Sequence, residues 1–175
     1  YKLQPLPALG NFFFTTLRDG SMHLLDIISS IGGVYHNNNK PYININNEIK
    51  HKDNFIKKWS LNKNSKYIIF NIYSADKIKN WDIAELHKLI HYMSAFSNEY
   101  EFILLGDEQS RKINIKNLIN LSGKTTIKEA AMMVSQADLF IGVDSMLAHF
   151  TSINNTKSIF LFSPTTPYYS GPIND

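Results

Sequence analysis

The residues with the clearest chemical potential lie between Asp144 and His149, directly after an apolar run that predicts a strand. Ser145 begins a predicted helix, and His149 follows it by four residues, so one helical turn brings hydroxyl and imidazole to one face. Open α/β sheets bind ligands at the carboxyl ends of their parallel strands, and a helix N-terminus there favours an anion. The pattern indicates a phosphorylated, hydroxyl-rich ligand in contact with His149.

Two further loops after predicted strands carry candidate ligand groups. In the first loop, Lys77 or Lys79 could meet a phosphate, because a lysine supplies a mobile point charge that suits a diphosphate. A solvent-exposed lysine is the simpler interpretation of either residue. In the second loop, Asp107 fits the cap of a following helix. Glu108 is then left to accept hydrogen bonds from ribose hydroxyls, as acidic residues do in nucleotide-binding α/β folds.

The elements that would position these loops follow from the apolar pattern. Strands are predicted at 67–72, 101–105, 118–121, 138–143 and 158–162. Helices are predicted at 81–96, at 109–117, from Thr126 with a capping box to Glu129, and at 145–153. This alternation is typical of an α/β fold, a Rossmann-like parallel sheet with helices on both faces.

The sequence before residue 62 is less regular. It predicts helices at 21–31 and 47–61 and a short strand at 41–45, and the polar stretch 62–65 is the candidate domain boundary. A chain of 175 residues is enough for one domain, or for one domain and part of another. Because the chain begins with Tyr1 in the middle of a pattern, we expect further residues before it.

Composition excludes several classes of function. The chain has no cysteine, which excludes disulfides, thiolate nucleophiles and cysteine-based metal sites. A net charge of +3 does not identify a nucleic-acid binder, and no apolar run reaches the ~18 residues of a membrane span. The basic residues concentrate between Lys50 and Lys66, which indicates a solvated helix face or a surface that meets anionic membrane or lipid-linked substrate.

Other chemistries find little support in the motifs. Ser145 does not lie in a Gly-x-Ser-x-Gly elbow. His87 and His91 form the only pair of histidines four residues apart, without the glutamate of a metalloprotease helix, so we interpret them as helix surface. The chain contains neither a Gly-x-Gly-x-x-Gly nor a Walker A lysine. We therefore expect no metal and no cofactor.

Several short motifs, taken in order over residues 65–167, resemble glycosyltransferase family 9, the ADP-heptose:lipopolysaccharide heptosyltransferases. They are Lys79-Asn80-Trp81, Leu104-Leu105-Gly106 with Glu108, the segment from Leu121 to Ile127, Asp144-Ser145 with His149, and Phe162-Ser163-Pro164-Thr165. The resemblance implies the C-terminal domain of a GT-B glycosyltransferase. Residues 1–61 would be the end of the N-terminal acceptor domain and the interdomain linker, and residues 62–175 the nucleotide-sugar-binding domain.

The resemblance also implies roles for individual residues in donor binding. Lys79 would contact the diphosphate and Glu108 the ribose, and Asp144 would hold sugar hydroxyls. Ser145, with the backbone of 145–147, would contact the phosphate, and His149 would lie beside the phosphate–sugar junction. Met146 in that turn, and Lys124 and Thr125 in the Gly-Lys-Thr motif, complete the expected donor-binding set.

The same resemblance implies an inverting, metal-independent transfer from a nucleotide sugar, ADP-heptose in the family, to a lipid-linked saccharide acceptor. Such enzymes work in the cytoplasm, with peripheral contact to the inner membrane as an option. The family's general base belongs to the N-terminal domain, so we expect this chain alone to be inactive. Nucleic acid is not an expected partner.

Three departures from the family pattern leave the donor open. Met146 stands where the family has a glycine that lets the backbone approach phosphate, Ser163 replaces a second glycine, and Thr166 stands where an aspartate is common. A non-catalytic nucleotide-sugar-binding module of the same fold is therefore an alternative, which Met146 favours slightly. An unrelated Rossmann-like enzyme such as a methyltransferase is a third, but the chain lacks a Gly-rich first loop.

Overall fold

The computed structural model describes residues 23–33, 52–163 and 166–172. The predicted strand at 41–45 and the predicted helical residues 47–51 lie outside the described residues. Five strands form one parallel sheet in the order β3-β2-β1-β4-β5. Their bounds are β1 Lys66–Asn71, β2 Tyr100–Leu104, β3 Leu118–Asn120, β4 Leu139–Val143 and β5 Ser158–Leu161. Each predicted strand within this range is confirmed to within a residue or two.

The helices connect these strands and precede them. They are α1 Leu24–Gly32, α2 Lys52–Trp59, α3 Ile83–Phe96, α4 Ile127–Ser135, α5 Met146–His149 and α6 Pro167–Ser170. Short 3-10 turns occupy Lys77–Lys79, Glu108–Lys112 and Phe150–Ile153. None of the described helices is long and apolar enough to cross a membrane.

Both faces of the sheet are covered, as a continuously apolar parallel strand requires. On β1, Tyr67 and Ile69 point to the core shared with α2, α4 and α5, and Ile68 and Phe70 point to the core shared with α3. The predicted two-sided α/β architecture is confirmed. Phe55 of α2 is buried in the first core, so this helix packs with the sheet, while the boundary at residue 62 stays a prediction.

Two predicted helices are wrong in extent. The segment predicted as a helix at 109–117 is a 3-10 turn followed by irregular chain, because Asn120 Nδ2 donates to the carbonyls of Ser110 and Ile113 at 2.8 Å each and Asn117 adopts a φ of 67°. The segment at 145–153 forms a single α turn, α5, and then continues as 3-10.

Helix starts follow the capping residues. Thr126 and Glu129 form the predicted capping box at the start of α4. Asp82 caps α3 by accepting a hydrogen bond from the Ala84 N–H, so the helix begins two residues after Trp81. The apolar stripe predicted for this helix buries Leu86 and Ile90, but its ends, Ile83 and Phe96, are exposed.

The strand order determines where a ligand would lie. The chain builds outward from β1 through β2 to β3 on one side, and from β4 to β5 on the other. The connections therefore diverge at the neighbouring pair β1 and β4, and the carboxyl ends of these two strands leave a crevice.

Candidate functional site

A hollow of about 330 Å³ opens at this crevice. The loops after β1, β2 and β4 and the start of α4 line it, with Ser74, Asp107, Thr125, Ser145 and Met146 among the lining residues. Thr125, Ser145 and Met146 belong to the predicted donor-binding set. The size and the position at the strand ends fit a small-molecule site.

The floor of the hollow contains a buried amide that the sequence analysis missed. Asn71 ends β1 and is only 2% exposed. Its side chain accepts a hydrogen bond from Ser145 Oγ at 2.7 Å and donates one to the Leu105 carbonyl at 3.1 Å. The available signal was a polar residue at the end of an otherwise apolar run, Tyr67 to Ile72.

A charged network lies beside the hollow and joins the 3-10 turn after β1, the loop after β4 and the end of α6. Lys79 Nζ lies 2.8 Å from Asp144 Oδ2, and Ser170 Oγ donates to the same oxygen at 2.9 Å. Asp144 is buried and Lys79 is largely buried, while Lys77 on the same 3-10 turn is exposed. The structure therefore directs Lys79, rather than Lys77, toward the predicted site. Ser170 was not anticipated.

His149 lies near this network at the end of α5. Partial desolvation of the ring lowers the pKa of His149, and the charges of His23 and Lys79 act in the same direction against the carboxylate of Asp144. His23, just before α1, accepts the Leu25 N–H at Nδ1 and donates from Nε2 to the Gly171 carbonyl at 3.0 Å. This link ties the start of α1 to the end of α6, the helix that carries Ser170.

Glu108 lies on the other side, after β2. Both of its carboxylate oxygens accept hydrogen bonds from Arg111, at 3.1 and 2.9 Å, so the carboxylate that is predicted to bind ribose pairs with a neighbouring side chain in this structure. Asp107 caps the following turn, as predicted, by accepting the Gln109 N–H. Gly123 lets Glu108 lie close, since a Cβ there would come within 2.8 Å of Oε1.

The predicted residues do not all line one hollow. Lys124 turns away, because its Nζ donates to the Asn120 carbonyl at the end of β3. Lys79, Asp144 and His149 adjoin the hollow through the Asp144–Ser145 peptide but are not among the residues that line it, and neither is Glu108. Their roles in ligand binding stay predictions.

The mouth of the hollow is apolar. Met146 is 54% exposed and Ile127 is 61% exposed, and both line the hollow. The side chain of Met146, which stands where the family has a glycine, therefore lies at the entrance of the hollow and is not buried in the core. In the described part of the chain, no group of three or more histidine, aspartate or glutamate side chains could hold a metal ion.

Comparisons with known proteins agree with this geometry. Residues 23–175 match the model of glycosyltransferase family 9 (heptosyltransferase). The chain is 29% identical over 116 residues to a lipopolysaccharide heptosyltransferase 3 of Escherichia coli, covering 61% of the chain and 34% of the relative. It is 35% identical over 57 residues to lipooligosaccharide heptosyltransferase 2 of Haemophilus influenzae, covering 33% of the chain and 16% of the relative.

Solved structures of low sequence identity share the fold. A family 9 glycosyltransferase from Veillonella parvula superimposes with a TM-score of 0.70 at 22% identity, over 87% of this chain and 47% of that one. E. coli ADP-heptose lps heptosyltransferase II superimposes with a TM-score of 0.62 at 20% identity, over 77% of this chain and 43% of that one. E. coli heptosyltransferase WaaC with ADP superimposes with a TM-score of 0.56 at 18% identity, over 69% of this chain and 40% of that one.

The described sheet is thus the Rossmann-like half of a GT-B architecture, and the chain spans about a third or less of the length of these curated relatives. The family match covers most of the chain, including every loop of the candidate site. The chain belongs to glycosyltransferase family 9.

Proposed function

We propose that this chain is the donor-binding part of a glycosyltransferase that transfers heptose from ADP-heptose to a lipopolysaccharide- or lipooligosaccharide-type acceptor. The observation that carries the proposal is the network of Lys79, Asp144 and Ser170 beside a hollow at the β1/β4 crevice. The names of the curated relatives support the sugar and the acceptor. The ADP named for E. coli WaaC supports the nucleotide.

The proposed reaction is an inverting transfer. An acceptor hydroxyl attacks the anomeric carbon, the bond to the diphosphate breaks, and the nucleoside diphosphate leaves. Lys79 would act in this step, because its ammonium group has three donors and contact with Asp144 leaves others for phosphate oxygens. Stabilisation of the leaving group by a lysine and hydrogen bonds replaces a metal ion in this proposal.

The other predicted donor contacts extend the same picture. Asp144 would accept hydrogen bonds from sugar hydroxyls, with Lys79 and Ser170 fixing the orientation of its carboxylate. Glu108 would exchange its contact with Arg111 for ribose hydroxyls. His149, next to the Asp144 network, would face the phosphate–sugar junction with a neutral ring at pH 7, because its pKa is lowered.

The division of labour along the chain is part of the proposal. Residues 1–61 would be the end of the acceptor domain and the linker, and residues 62–175 the nucleotide-sugar-binding domain. The general base would belong to the acceptor domain. Residues 1–175 alone are therefore expected to show no transfer, whereas the full-length protein should transfer heptose equally well with and without a chelator.

Peripheral contact with the inner membrane would involve the lysines between Lys50 and Lys66. The structure gives three of them local partners: Lys58 pairs with Glu129, Lys63 with Asp53, and Lys66 with Glu99. These pairs offset charge that would otherwise attract anionic lipid. Sedimentation of the full-length protein with anionic vesicles tests this contact, and we expect weak binding that salt abolishes.

Titration of the full-length protein with ADP, UDP and GDP tests the central proposal. We expect selective binding of ADP that Lys79→Ala and Glu108→Ala weaken. Lys77→Ala is the matched control, since this lysine lies on the same turn but is exposed, and it should bind ADP as the unmodified protein does. Absence of binding to all three nucleotides contradicts the transferase, whereas binding of ADP without heptose transfer favours the non-catalytic module.

A further inference from the structure

We propose that Asn71 fixes Ser145 as a hydrogen-bond acceptor, so that the hollow selects a hydroxyl group of the nucleotide sugar at this point rather than a phosphate oxygen. The inference rests on the proposed function, because it assumes that a nucleotide sugar occupies the hollow. It assigns a task to Asn71, and it changes the group that the Ser145 side chain contacts.

The orientation of the Asn71 amide follows from its second partner. The Leu105 carbonyl oxygen only accepts hydrogen bonds, so the side-chain atom 3.1 Å from it must be the NH₂ group. The oxygen of the same amide then faces Ser145 Oγ at 2.7 Å. Asn71 is 2% exposed, and a flipped amide would set oxygen against oxygen at Leu105 without water to compensate.

The proton of the Ser145 hydroxyl is therefore committed. A serine hydroxyl has one proton to donate and two lone pairs to accept with, and the proton goes to Asn71 Oδ1. Ser145 is the N-cap residue of α5, yet its side chain accepts no capping hydrogen bond from that helix. The oxygen thus keeps acceptor capacity on the side of the hollow that it lines.

An acceptor at this point distinguishes between ligand groups. Diphosphate oxygens are ionised at neutral pH and have no proton to donate. Placed against the Ser145 oxygen, they would set two hydrogen-bond acceptors against each other, which is unfavourable. A ribose or sugar hydroxyl can donate to it. Asn71 is a positioning residue in this scheme, because it acts on the ligand only through Ser145.

The test compares ligands that carry or lack one hydroxyl. The full-length protein is titrated with ADP, 2′-deoxy-ADP and 3′-deoxy-ADP. If the partner is a ribose hydroxyl, removing it should weaken binding about fivefold, the effect of one net hydrogen bond. In Ser145→Ala the same removal should change affinity by less than about twofold, and Ser145→Thr, which keeps a hydroxyl, should restore the discrimination.

A second arm covers a hydroxyl of the transferred sugar. In that case Ser145→Ala leaves ADP affinity unchanged but raises the KM for ADP-heptose, again about fivefold, with kcat little altered. The inference is overturned if removing either ribose hydroxyl weakens binding equally in the unmodified protein and in Ser145→Ala, and Ser145→Ala also leaves the KM for ADP-heptose unchanged. Failure of the protein to bind any nucleotide overturns the proposed function as well, so the two failures are distinguishable.

Asn71→Leu tests the positioning role. Loss of the amide frees the Ser145 proton, so the hydroxyl can now also donate. The ligand in this arm carries fluorine, which accepts but cannot donate, in place of the hydroxyl identified above. It should bind the unmodified protein more weakly than the parent ligand, and this difference should shrink in Asn71→Leu. Undiminished discrimination in a folded Asn71→Leu contradicts the role of Asn71; if that variant does not fold, the Ser145 variants decide.

Discussion

Two ion pairs at the carboxyl edge of the sheet each contain at least one predicted donor-binding residue, yet they differ in contact with water. Lys79 and Asp144 have side chains that are 20% and 7% exposed, and a third group, Ser170 Oγ, donates to the same carboxylate oxygen. Arg111 and Glu108 are 57% and 67% exposed. Both pairs have a contact near 2.8–2.9 Å, so distance alone does not separate them.

The difference lies in how strongly each geometry is enforced. Charges near a protein surface interact several times less strongly than charges shielded from water, and an exposed pair contributes between about 0 and 1 kcal/mol. Asp144 is therefore held in one orientation before any ligand arrives, whereas Glu108 can leave Arg111 at little cost. The first region is preorganised, and the second is free to adapt to a ligand.

The largest expected effect comes from breaking the buried pair. Lys79→Ala removes the ammonium group that pairs with the carboxylate of Asp144, and removal of one partner of a fully buried pair costs about 3–5 kcal/mol. Because Lys79 retains some exposure and Ser170 still donates, we expect a loss of about 2 kcal/mol in the free energy of unfolding. Urea denaturation of the full-length protein measures it.

The neighbouring exposed lysine supplies the control for that measurement. Lys77→Ala should change the free energy of unfolding by less than about 0.5 kcal/mol. High salt should leave the deficit of Lys79→Ala largely intact, because buried pairs are screened much less than exposed ones. Equal costs for the two variants, or a deficit that disappears in salt, would show that the two regions do not differ as proposed.

A pair of intermediate exposure extends the comparison. Lys58 and Glu129, 49% and 17% exposed, join α2 to the capping box of α4. Burial tends to raise the pKa of Glu129, but hydrogen bonds from Lys58 and Thr126 outweigh it and lower the pKa below 4.5. The carboxylate therefore stabilises the fold above pH 4.5, and this contribution is lost as the pH falls through the lowered value.

Glu129→Gln should accordingly lower the free energy of unfolding at pH 7 by about 1 kcal/mol. The deficit should shrink as the pH falls below 4.5 and vanish once Glu129 is protonated in the folded protein. Thermal unfolding from pH 7 to pH 3 follows it. Glu85→Gln, which breaks the exposed pair with Lys88, is the matched control, and a deficit that persists at pH 3 contradicts the assignment.

The sheet could be predicted from the sequence because its information is local and repeated. Each strand is a nearly continuous apolar run. Thr126 and Glu129, three residues apart, have the spacing of a capping box and so indicate the start of α4. The 109–117 segment was mispredicted because the carbonyls of Ser110 and Ile113 are taken by Asn120, a residue on the next strand. A contact of that kind leaves no periodic trace in the sequence.

The candidate site also has a part that could be predicted from the sequence and a part that could not. Lys79 and Asp144 lie 65 residues apart in sequence, and their loops could be placed at one edge because parallel strands end there together. The pairing of Glu108 with Arg111, the turn of Lys124 toward Asn120 and the contact of Ser170 with Asp144 depend on side-chain directions that spacing does not encode. Asn71 was overlooked because its partners, Ser145 and Leu105, are distant in sequence.

A smaller effect should be visible in the titration of His149. The pKa of this ring is lowered first by desolvation and then by His23 and Lys79, and raised by Asp144. Lys79→Ala should therefore raise the pKa of His149, and Asp144→Asn should lower it further. NMR titration of the histidine ring measures both shifts. Arg111→Ala should leave the pKa of His149 unchanged. Opposite shifts in Lys79→Ala and Asp144→Asn, with no shift in Arg111→Ala, would show that the buried pair acts on His149 and the exposed pair does not.

The smallest expected effect is at the exposed pair itself. Arg111→Ala should alter the free energy of unfolding by less than about 0.5 kcal/mol, because the pair is solvated at both ends. ADP affinity, measured calorimetrically, should stay the same or rise slightly, since Glu108 then has no competing partner, whereas Glu108→Ala should weaken it. If Arg111→Ala instead weakens ADP binding as much as Glu108→Ala does, Arg111 orients the carboxylate for the ribose. The second region would then be preorganised like the first, with an arginine that water reaches freely in the place of a buried lysine.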